Sequence, residues 1–468
     1  MNKTIYLSIF TIMSFLVTSC KTSKQLSNIE VSKTKFVSPE LKSTLNVHYK
    51  IDKQAMRDTF NTLIDFYLNQ DMELKAMGMD IIVNKRDDAT LEFSGKKVLT
   101  TLPLDINLAK ETLLSNINAS GSLRLDFLTE LDMDQSWVIM TQTTLEHYEW
   151  IEKPSVSLGG FNLPLGNLAN MIIDKSKAEL ERQINSSISD QLTIKDKVMD
   201  LMKHVENPIE IDTALHSWVQ IIPEKVYMSE IKNERNWTTG NVTIQGRTKV
   251  SSFKPESTSR PVLPDFGWEK TLDDTSHINV VLDLSYEKIE QYLNDNFRGK
   301  TFSNDGREVK VNQINLSADG DKLVGIADVS GSFNGKLKLT GNPVFDNGKQ
   351  VFFMDDVDVS VTTKNLLHKA GSWLLKGKIK KQLSELMYFD VDASKEMLQN
   401  QIDDQLKQYE VLNQLNLIAD LNKLHIDKFV MSSDRIHAFT TLNLYLETQI
   451  LDMRLFNDEL VRSNLRKP

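Results

Sequence analysis

"LNVHYKIDKQAMRDTFNTLIDF", residues 45–66, changes its period part-way through. Leu45, Val47, Tyr49 and Ile51 alternate with polar residues, the pattern of a strand with one buried face. From Ala55 onward the apolar positions shift to helical spacing through Phe60, Leu63 and Ile64. A strand followed by an amphipathic helix of three to four turns is the expectation. "INVVLDLSYEKIEQYLNDNF", residues 278–297, repeats the plan, with Ile289, Tyr292 and Leu293 on its helical part. The offset between the two copies is 233 residues (278 minus 45).

Each copy leads into a series of strands. In the first half these are expected near 89–102, 120–128 and 134–152; in the second, near 309–318, 321–340 and 350–362. Asp319-Gly320-Asp321, Gly341-Asn342-Pro343 and Asp346-Asn347-Gly348 supply turns between the later strands. A long helix is then expected in each half. Residues 165–205 carry Leu168, Ile172, Leu180, Ile184, Ile188 and Leu192 on one four-residue row. Residues 364–408 carry Leu367, Ala370, Leu374, Leu383, Leu386, Leu398, Ile402 and Leu406, with Asp390-Val391-Asp392 as a point of interruption. More alternating sequence follows each helix, at 218–231 and 241–252 and again at 424–448. The order strand, helix, strands, long helix, strands thus occurs twice, the mark of a tandem repeat. "SSFKPESTSRPVLPDFG" (251–267), rich in Pro and Ser, reads as a linker or crossing segment between the copies.

A long helix with an apolar row needs a cover, and the cover on offer is an antiparallel sheet with one apolar face. The expected fold class is therefore α+β. It would consist of two tandem elongated units, each a twisted antiparallel sheet wrapped along a long helix. An incomplete seam between helix and sheet leaves an apolar groove.

The N-terminus has its own signal. Lys3 precedes a mostly apolar run, Ile5 to Val17, too short to span a bilayer stably. It ends in "SFLVTSCKTSK" (14–24), which holds the chain's lone cysteine, Cys20. Val17-Thr18-Ser19-Cys20 resembles the lipobox of bacterial lipoproteins. That resemblance implies cleavage before Cys20 and acylation of its thiol and new α-amine; the plain alternative is an ordinary signal peptide with a chance cysteine. Three acyl chains exceed what stable membrane anchoring requires. Residue 21 is lysine, not the aspartate that holds enterobacterial lipoproteins at the inner membrane, so the implied address is the outer membrane, facing the periplasm. The expected organisation is a signal peptide over 1–19, a lipidated tether over 20–43, a first unit over 44–255 and a second over 256–468.

The element order resembles the tubular lipid-binding (TULIP) superfamily, which includes proteins like bactericidal/permeability-increasing protein. More closely, the chain resembles a family of bacterial lipoproteins that has no assigned function. The matching features are Trp218 with Pro223 and Val226, and "LKLTGNPVFD" (337–346) leading through "FMDDVDVSVTTKNLLHKAGSWL" (353–374). The resemblance implies a binding module for acyl chains. Members of the superfamily also use the same shape for dimerisation alone.

Composition is globular, with 40% hydrophobic and 25% charged residues. A net charge of −9 argues against nucleic acid as a partner. Catalytic and metal motifs are missing from the sequence: no His-x-His or His-x-x-x-His pair, G-x-S-x-G elbow, Walker loop or G-x-G-x-x-G fingerprint occurs. No cofactor and no metal is implied. Acidic pairs such as Asp273-Asp274, Asp355-Asp356 and Asp403-Asp404 read as solvated turns or helix faces. The candidate lipid-binding residues are Leu168, Ile172, Leu180, Ile184 and Ile188, whose bland reading is plain core, with Trp373 and Leu374 in the second half. Trp373 is followed by Lys376, Lys378, Lys380 and Lys381, the pattern of a membrane-surface contact or of a solvated helix face.

Two functions compete. One is a lipoprotein that binds or shuttles lipids or other amphiphiles, partnered by the membrane and a hydrophobic ligand. The other is a non-catalytic structural lipoprotein, with a filled core and an envelope protein as partner. An enzyme ranks third.

Overall fold

In the computed structural model, the strand Leu41–Asp52 pairs antiparallel with Trp237–Ser251 from Thr248↔Leu41 to Trp237↔Asp52. On its other side it runs parallel to Arg435–Ile450, from Leu446↔Val47 to Ile450↔Ile51. Its partners therefore come from both halves. The structure describes residues 27–453 except 33–35, 37–38, 69–73, 77–78, 112–115, 159–160, 165, 192–193, 213–216, 252–253, 257–261, 305, 363–387 and 408–414.

Around that strand lies a ten-stranded sheet in the order Ile209–Asp212, Ser217–Ser229, Trp237–Ser251, Leu41–Asp52, Thr275–Ser285, Arg435–Ile450, Leu415–Met431, Glu30–Val31, with Lys232–Asn233 and Asp265–Glu269 paired at its side. Each half adds a further seven-stranded sheet, the second half's counting Ser27–Asn28 from ahead of the first half as its seventh strand. In the first half it runs from Phe161–Pro164 through Ile139–Leu158, Asn116–Met133 and Lys97–Glu111 to Met79–Lys85 and Leu74–Ala76. In the second it runs from Thr301–Asn304 through Arg307–Asp319, Lys322–Gly331 and Gly335–Asp346 to Val351–Thr362 and Phe389–Asp390.

This overturns the expected α+β class of two units, each a sheet wrapped along a long helix. Among the described residues the protein is mostly β, with three sheets, and the largest belongs to both halves. The reason lies in the edges. Leu41–Asp52 and Thr275–Ser285 each open a half, and a strand paired on one side only leaves a row of N–H and C=O groups unsatisfied. Alternation in sequence shows that a strand has a buried face; it says nothing about which strand lies beside it.

The helices also differ from expectation. Residues 165–205 form two helices, Gly166–Gln191 and Ile194–Val205. In the second half Val391–Leu406 is helical, and the rest of the expected helix up to residue 387 lies outside the described residues. The interruption at Asp390 is an N-cap: its Oδ1 accepts from the backbone N–H of Asp392 (3.0 Å) and Ala393 (3.3 Å).

The two opening helices, Lys53–Leu68 and Tyr286–Phe297, are built alike. Asp52 caps the first by accepting from Ala55 N–H (2.8 Å), and Ser285 caps the second by accepting from Lys288 N–H (3.2 Å). Asn61 and Asn294 then each pin their helix to the sheet side, Asn61 at the residue before Thr90–Ser94 and Asn294 within Arg307–Asp319. Asn61 accepts from Ala89 N–H (2.8 Å) and donates to its carbonyl (3.1 Å); Asn294 does the same with Ile314 (2.7 and 2.7 Å). An amide side chain carries both donors and an acceptor, so it can stand in for a strand's N–H and C=O.

Each half is also braced by the segment that leads into the other. Ahead of the first half, Ser27–Asn28 pairs with Phe345 and Val344, and Glu30–Val31 runs parallel to Val430–Met431. These strands lie inside the stretch expected as a tether. The Phe36 ring packs 4.3 Å from His437 and 6.1 Å from Phe439. Ahead of the second half, Asp265–Glu269 runs parallel to Lys225–Ser229 of the first. There Phe266 sits 4.8 Å from Trp137, whose indole donates to Pro264 O.

Candidate functional site

The helix Gly166–Gln191 lies along a strand that lacks a full set of strand partners. Ile139–Leu158 pairs with Asn116–Met133 on one side, but on the other Phe161–Pro164 covers only Ser155–Leu158. Helix side chains take over where that strand stops. Asn185 Oδ1 accepts from Thr143 N–H (2.9 Å) and Glu181 Oε1 from Leu145 N–H (2.8 Å), while Lys177 Nζ donates to Leu145 O (2.8 Å). Higher up, Trp150 Nε1 donates to Asn170 Oδ1 (2.7 Å) and the Tyr148 hydroxyl to Asp174 Oδ1 (3.3 Å). Residues 170, 174, 177, 181 and 185 recur at three- and four-residue steps, so they form one face of the helix. That polar row zips the helix to the open strand edge.

Beside the zipper lies an apolar layer. Leu104, Leu123, Leu125, Phe127 and Leu145 of the sheet and Ile173 of the helix are buried. Around them Val83, Leu102, Ile106, Tyr148, Trp150 and Ile184 are partly buried. Leu180 and Ile184, two of the candidate lipid-binding residues, are half-buried, and Ile184 packs on this layer. The backbone of Leu168, Ile172 and Ile188 is in the same helix, while their side chains lie outside what is described. Trp373, Leu374 and Cys20 also lie outside the described residues. Sequence reading missed Ile173, which is buried, and the polar row. Five polar residues at helical spacing read as a solvated face unless a strand edge is known to lie against them.

In the second half, Gln399 pins Val391–Leu406 by donating to Ala419 O (2.7 Å) and accepting from Leu421 N–H (2.6 Å). A cleft of about 260 Å³ lies beside it, lined by Leu406, Leu417 and Ile418 among others. A second cleft of about 340 Å³, lined by Lys42, Asn279, Asp427, Phe439 and Thr441, lies on the central sheet.

One constellation has the connectivity of a catalytic triad. His437 Nδ1 is 2.5 Å from Asp283 Oδ1 and its Nε2 is 3.3 Å from Ser432 Oγ. Ser432 is 3% exposed and His437 0%, with the Phe36 ring tilted against the imidazole, so the pair is buried away from solvent. The Ser432 hydroxyl is also within 3.1 Å of Asp434 Oδ1 and of Arg435 O, acceptors that draw its proton away from the imidazole. Ser432 N–H donates to Arg435 O (2.9 Å), closing the turn. These groups brace the hairpin between Leu415–Met431 and Arg435–Ile450. Among the described residues no group of three or more His, Cys, Asp or Glu could hold a metal ion. Among the same residues no helix is long and apolar enough to cross a membrane.

A family model described as a domain of unknown function (DUF4403) matches residues 42–450. No curated protein matches the chain. Among solved structures, that of a lipopolysaccharide binding protein aligns at 11% identity over 88% of this chain and 99% of its own, with a TM-score of 0.26. That of P47 of Clostridium botulinum E1 aligns at 9% identity over 85% and 98%, with a TM-score of 0.21.

Proposed function

The chain belongs to that DUF4403 family, and from this premise we propose that it is an envelope lipoprotein that holds an acyl chain or similar amphiphile between the helix Gly166–Gln191 and its sheet. The observation that carries the reading is how the helix is fastened. Most helices are held by burial of their apolar face. This one buries Ile173 against the sheet and is in addition zipped along one edge by side-chain hydrogen bonds, while Leu180 and Ile184 stay half-buried. A helix held that way can tolerate a guest against its apolar row. Cys20 supplies the anchor in this reading, at the outer membrane and facing the periplasm, where amphiphiles are delivered.

Ile184→Asp tests it. A carboxylate in a sealed core costs several kcal/mol because it has no partner. In a groove that exchanges its guest, the same carboxylate reaches water when the guest leaves. The variant is expected to fold with a modestly lower melting temperature and to lose a fluorescent fatty-acid probe that the wild type binds. A wild type that binds no probe at saturation, and carries no lipid by native mass spectrometry, would leave the structural lipoprotein as the standing reading.

A further inference from the structure

The cleft on the central sheet has a counterpart in the first half that is tied shut. Asn46 pairs with Thr243, and Asn279 with Thr441, so the two opening strands are related by 233 residues (279 minus 46) and their partners by 198 (441 minus 243). The next strands follow suit, Tyr227 pairing with Thr243 and His425 with Thr441 (425 minus 227 is 198). Lys53 N–H donates to Asn236 O and Tyr286 N–H to Asp434 O, at the same two offsets. Leu41, Asp427 and Phe439 of the cleft therefore correspond to Asp274, Ser229 and Asn241. In the first half those three are joined: Asn241 Nδ2 donates to Asp274 Oδ1 (2.7 Å), and Asn241 N–H to Ser229 Oγ (2.8 Å). Leu41 and Phe439 have no side-chain donor or acceptor to make such a tie, and a cleft of about 340 Å³ lies between them.

The groups lining it carry both charges. Lys42 and Asp427 stand on the outer two of four adjacent strands, with Asn279 and Thr441 on the strands between. Asp427 is the extra residue of a bulge between Ile426 and Lys428, a device that re-aims a side chain. Gln350 Oε1 holds that bulge by accepting from Ile426 N–H (2.7 Å), and Asn347 Nδ2 by donating to Asp427 O (2.9 Å). Thr441 Oγ1 lies 2.9 Å from Asn279 Oδ1 and 3.1 Å from Asp427 Oδ2. A hydroxyl has one proton, so once it serves Asn279 that carboxylate oxygen takes its donor from whatever enters the cleft. The other oxygen, Oδ1, is 3.6 Å from His425 Nε2. Phe439 supplies an apolar wall, but Lys428 Nζ already sits 5.0 Å from its ring centroid, so the ring is not free to cage a quaternary ammonium. At about 30 Å³ per water, the volume matches roughly eleven waters. That is room for a headgroup and not for acyl chains.

We propose that this cleft is a second binding site, for a small zwitterion that joins a primary ammonium to an anionic group, the chemistry of phosphoethanolamine. Asp427 receives the ammonium, with Asn279 and Thr441 beside it, and Lys42 pairs with the phosphate. The site stands apart from the helix Gly166–Gln191 and does not depend on acyl binding there.

Calorimetric titration of the chain with glycerophosphoethanolamine tests it. Binding is expected, and glycerophosphocholine, whose nitrogen has no proton to donate, should bind about tenfold more weakly or worse. Lys42 and Asp427 are exposed, so Lys42→Gln and Asp427→Asn should each keep the melting temperature and weaken binding about tenfold. Leu41→Asp with Phe439→Asn installs the tie of the first half and should abolish binding in a chain whose circular dichroism is unchanged. Dihexanoyl phosphatidylethanolamine separates the two sources of this chemistry. Binding tighter than that of glycerophosphoethanolamine assigns the site to a lipid headgroup, and equal binding assigns it to a soluble zwitterion. No binding of glycerophosphoethanolamine, equal binding of the choline compound, or binding that survives both single variants overturns the proposal.

Discussion

Ser43 and Ser276 do the same thing to each other's strand. The Ser43 hydroxyl accepts from Asn279 N–H (2.9 Å) and donates to Asn279 O (3.3 Å); the Ser276 hydroxyl accepts from Asn46 N–H (2.8 Å) and donates to Asn46 O (3.0 Å). The two serines are 233 residues apart (276 minus 43), and so are Asn46 and Asn279 (279 minus 46). Each asparagine side chain also donates to the opposite strand, Asn46 to Thr275 O (2.5 Å) and Asn279 to Lys42 O (2.8 Å). Thr243 and Thr441 donate to the two Oδ1 atoms. Leu41–Asp52 and Thr275–Ser285 register as strands only at His277↔Thr44. Side chains do the joining, under a local two-fold relation.

Ser276→Ala should therefore cost more than a surface serine. It leaves the buried Asn46 N–H and C=O without their partner, a loss of about 1–3 kcal/mol. Ser43→Ala should cost a similar amount. Chemical denaturation measures both, and the double variant should still unfold in one transition.

The halves should not fold alone. Cutting within 252–261 separates Leu41–Asp52 from the Arg435–Ile450 strand it runs beside, and removes both crossed braces. Neither half expressed by itself is expected to show a cooperative calorimetric transition, and mixing the two should restore one. A half that melts cooperatively alone, at the temperature of the intact chain, contradicts this.

The zipper can be opened from the helix side. Glu181→Leu with Asn185→Leu removes the acceptors for Leu145 and Thr143 N–H. The loss is about 1 kcal/mol per bond at this partly exposed edge. Amide exchange at 143 and 145 should accelerate, and an acyl probe should dissociate faster. Unchanged exchange at those two amides would show that the edge is held by something else.

Glu447 predicts an acid limb. It is 6% exposed and receives hydrogen bonds from Lys50 Nζ (2.9 Å), the Tyr445 hydroxyl (2.6 Å) and Gln449 Nε2 (2.6 Å). Burial alone would raise its carboxyl, but these bonds outweigh it and hold the pKa at about 2. A folded value below the unfolded one means the stabilisation is complete above about pH 4.5 and is lost as pH falls toward 2. About 2–3 kcal/mol rides on it. Glu447→Gln should lower stability at pH 7 and flatten the dependence between pH 5 and 2, read by urea midpoints across that range.

Cys20→Ala should release the protein from membranes. If the variant still partitions with detergent-extracted material and its leader is removed normally, the lipobox reading is wrong.

Much of this was legible in the chain. The switch from alternation to helical spacing at 45–66 and 278–297 is local, so each opening strand and helix could be read directly. The division of 165–205 into two helices was not read, although the four-residue row stops at Leu192 and the apolar positions resume out of phase at Ile194, Val198 and Met202. Nor was the role of Asp390, since an acidic residue inside a helical pattern and one capping its start look alike until the backbone turns.

By itself the sequence determined the two opening strand–helix units and their common offset of 233 residues. Such units depend on neighbours within a few residues. Tertiary structure alone decided that Leu41–Asp52 sits between strands of both halves, that each half is braced by the other's leading segment, and that the polar row from Asn170 to Asn185 faces a strand edge instead of water. A period-two strand fits any partner whose buried face matches, so pairing is chosen by which edges remain unsatisfied once the whole chain has collapsed.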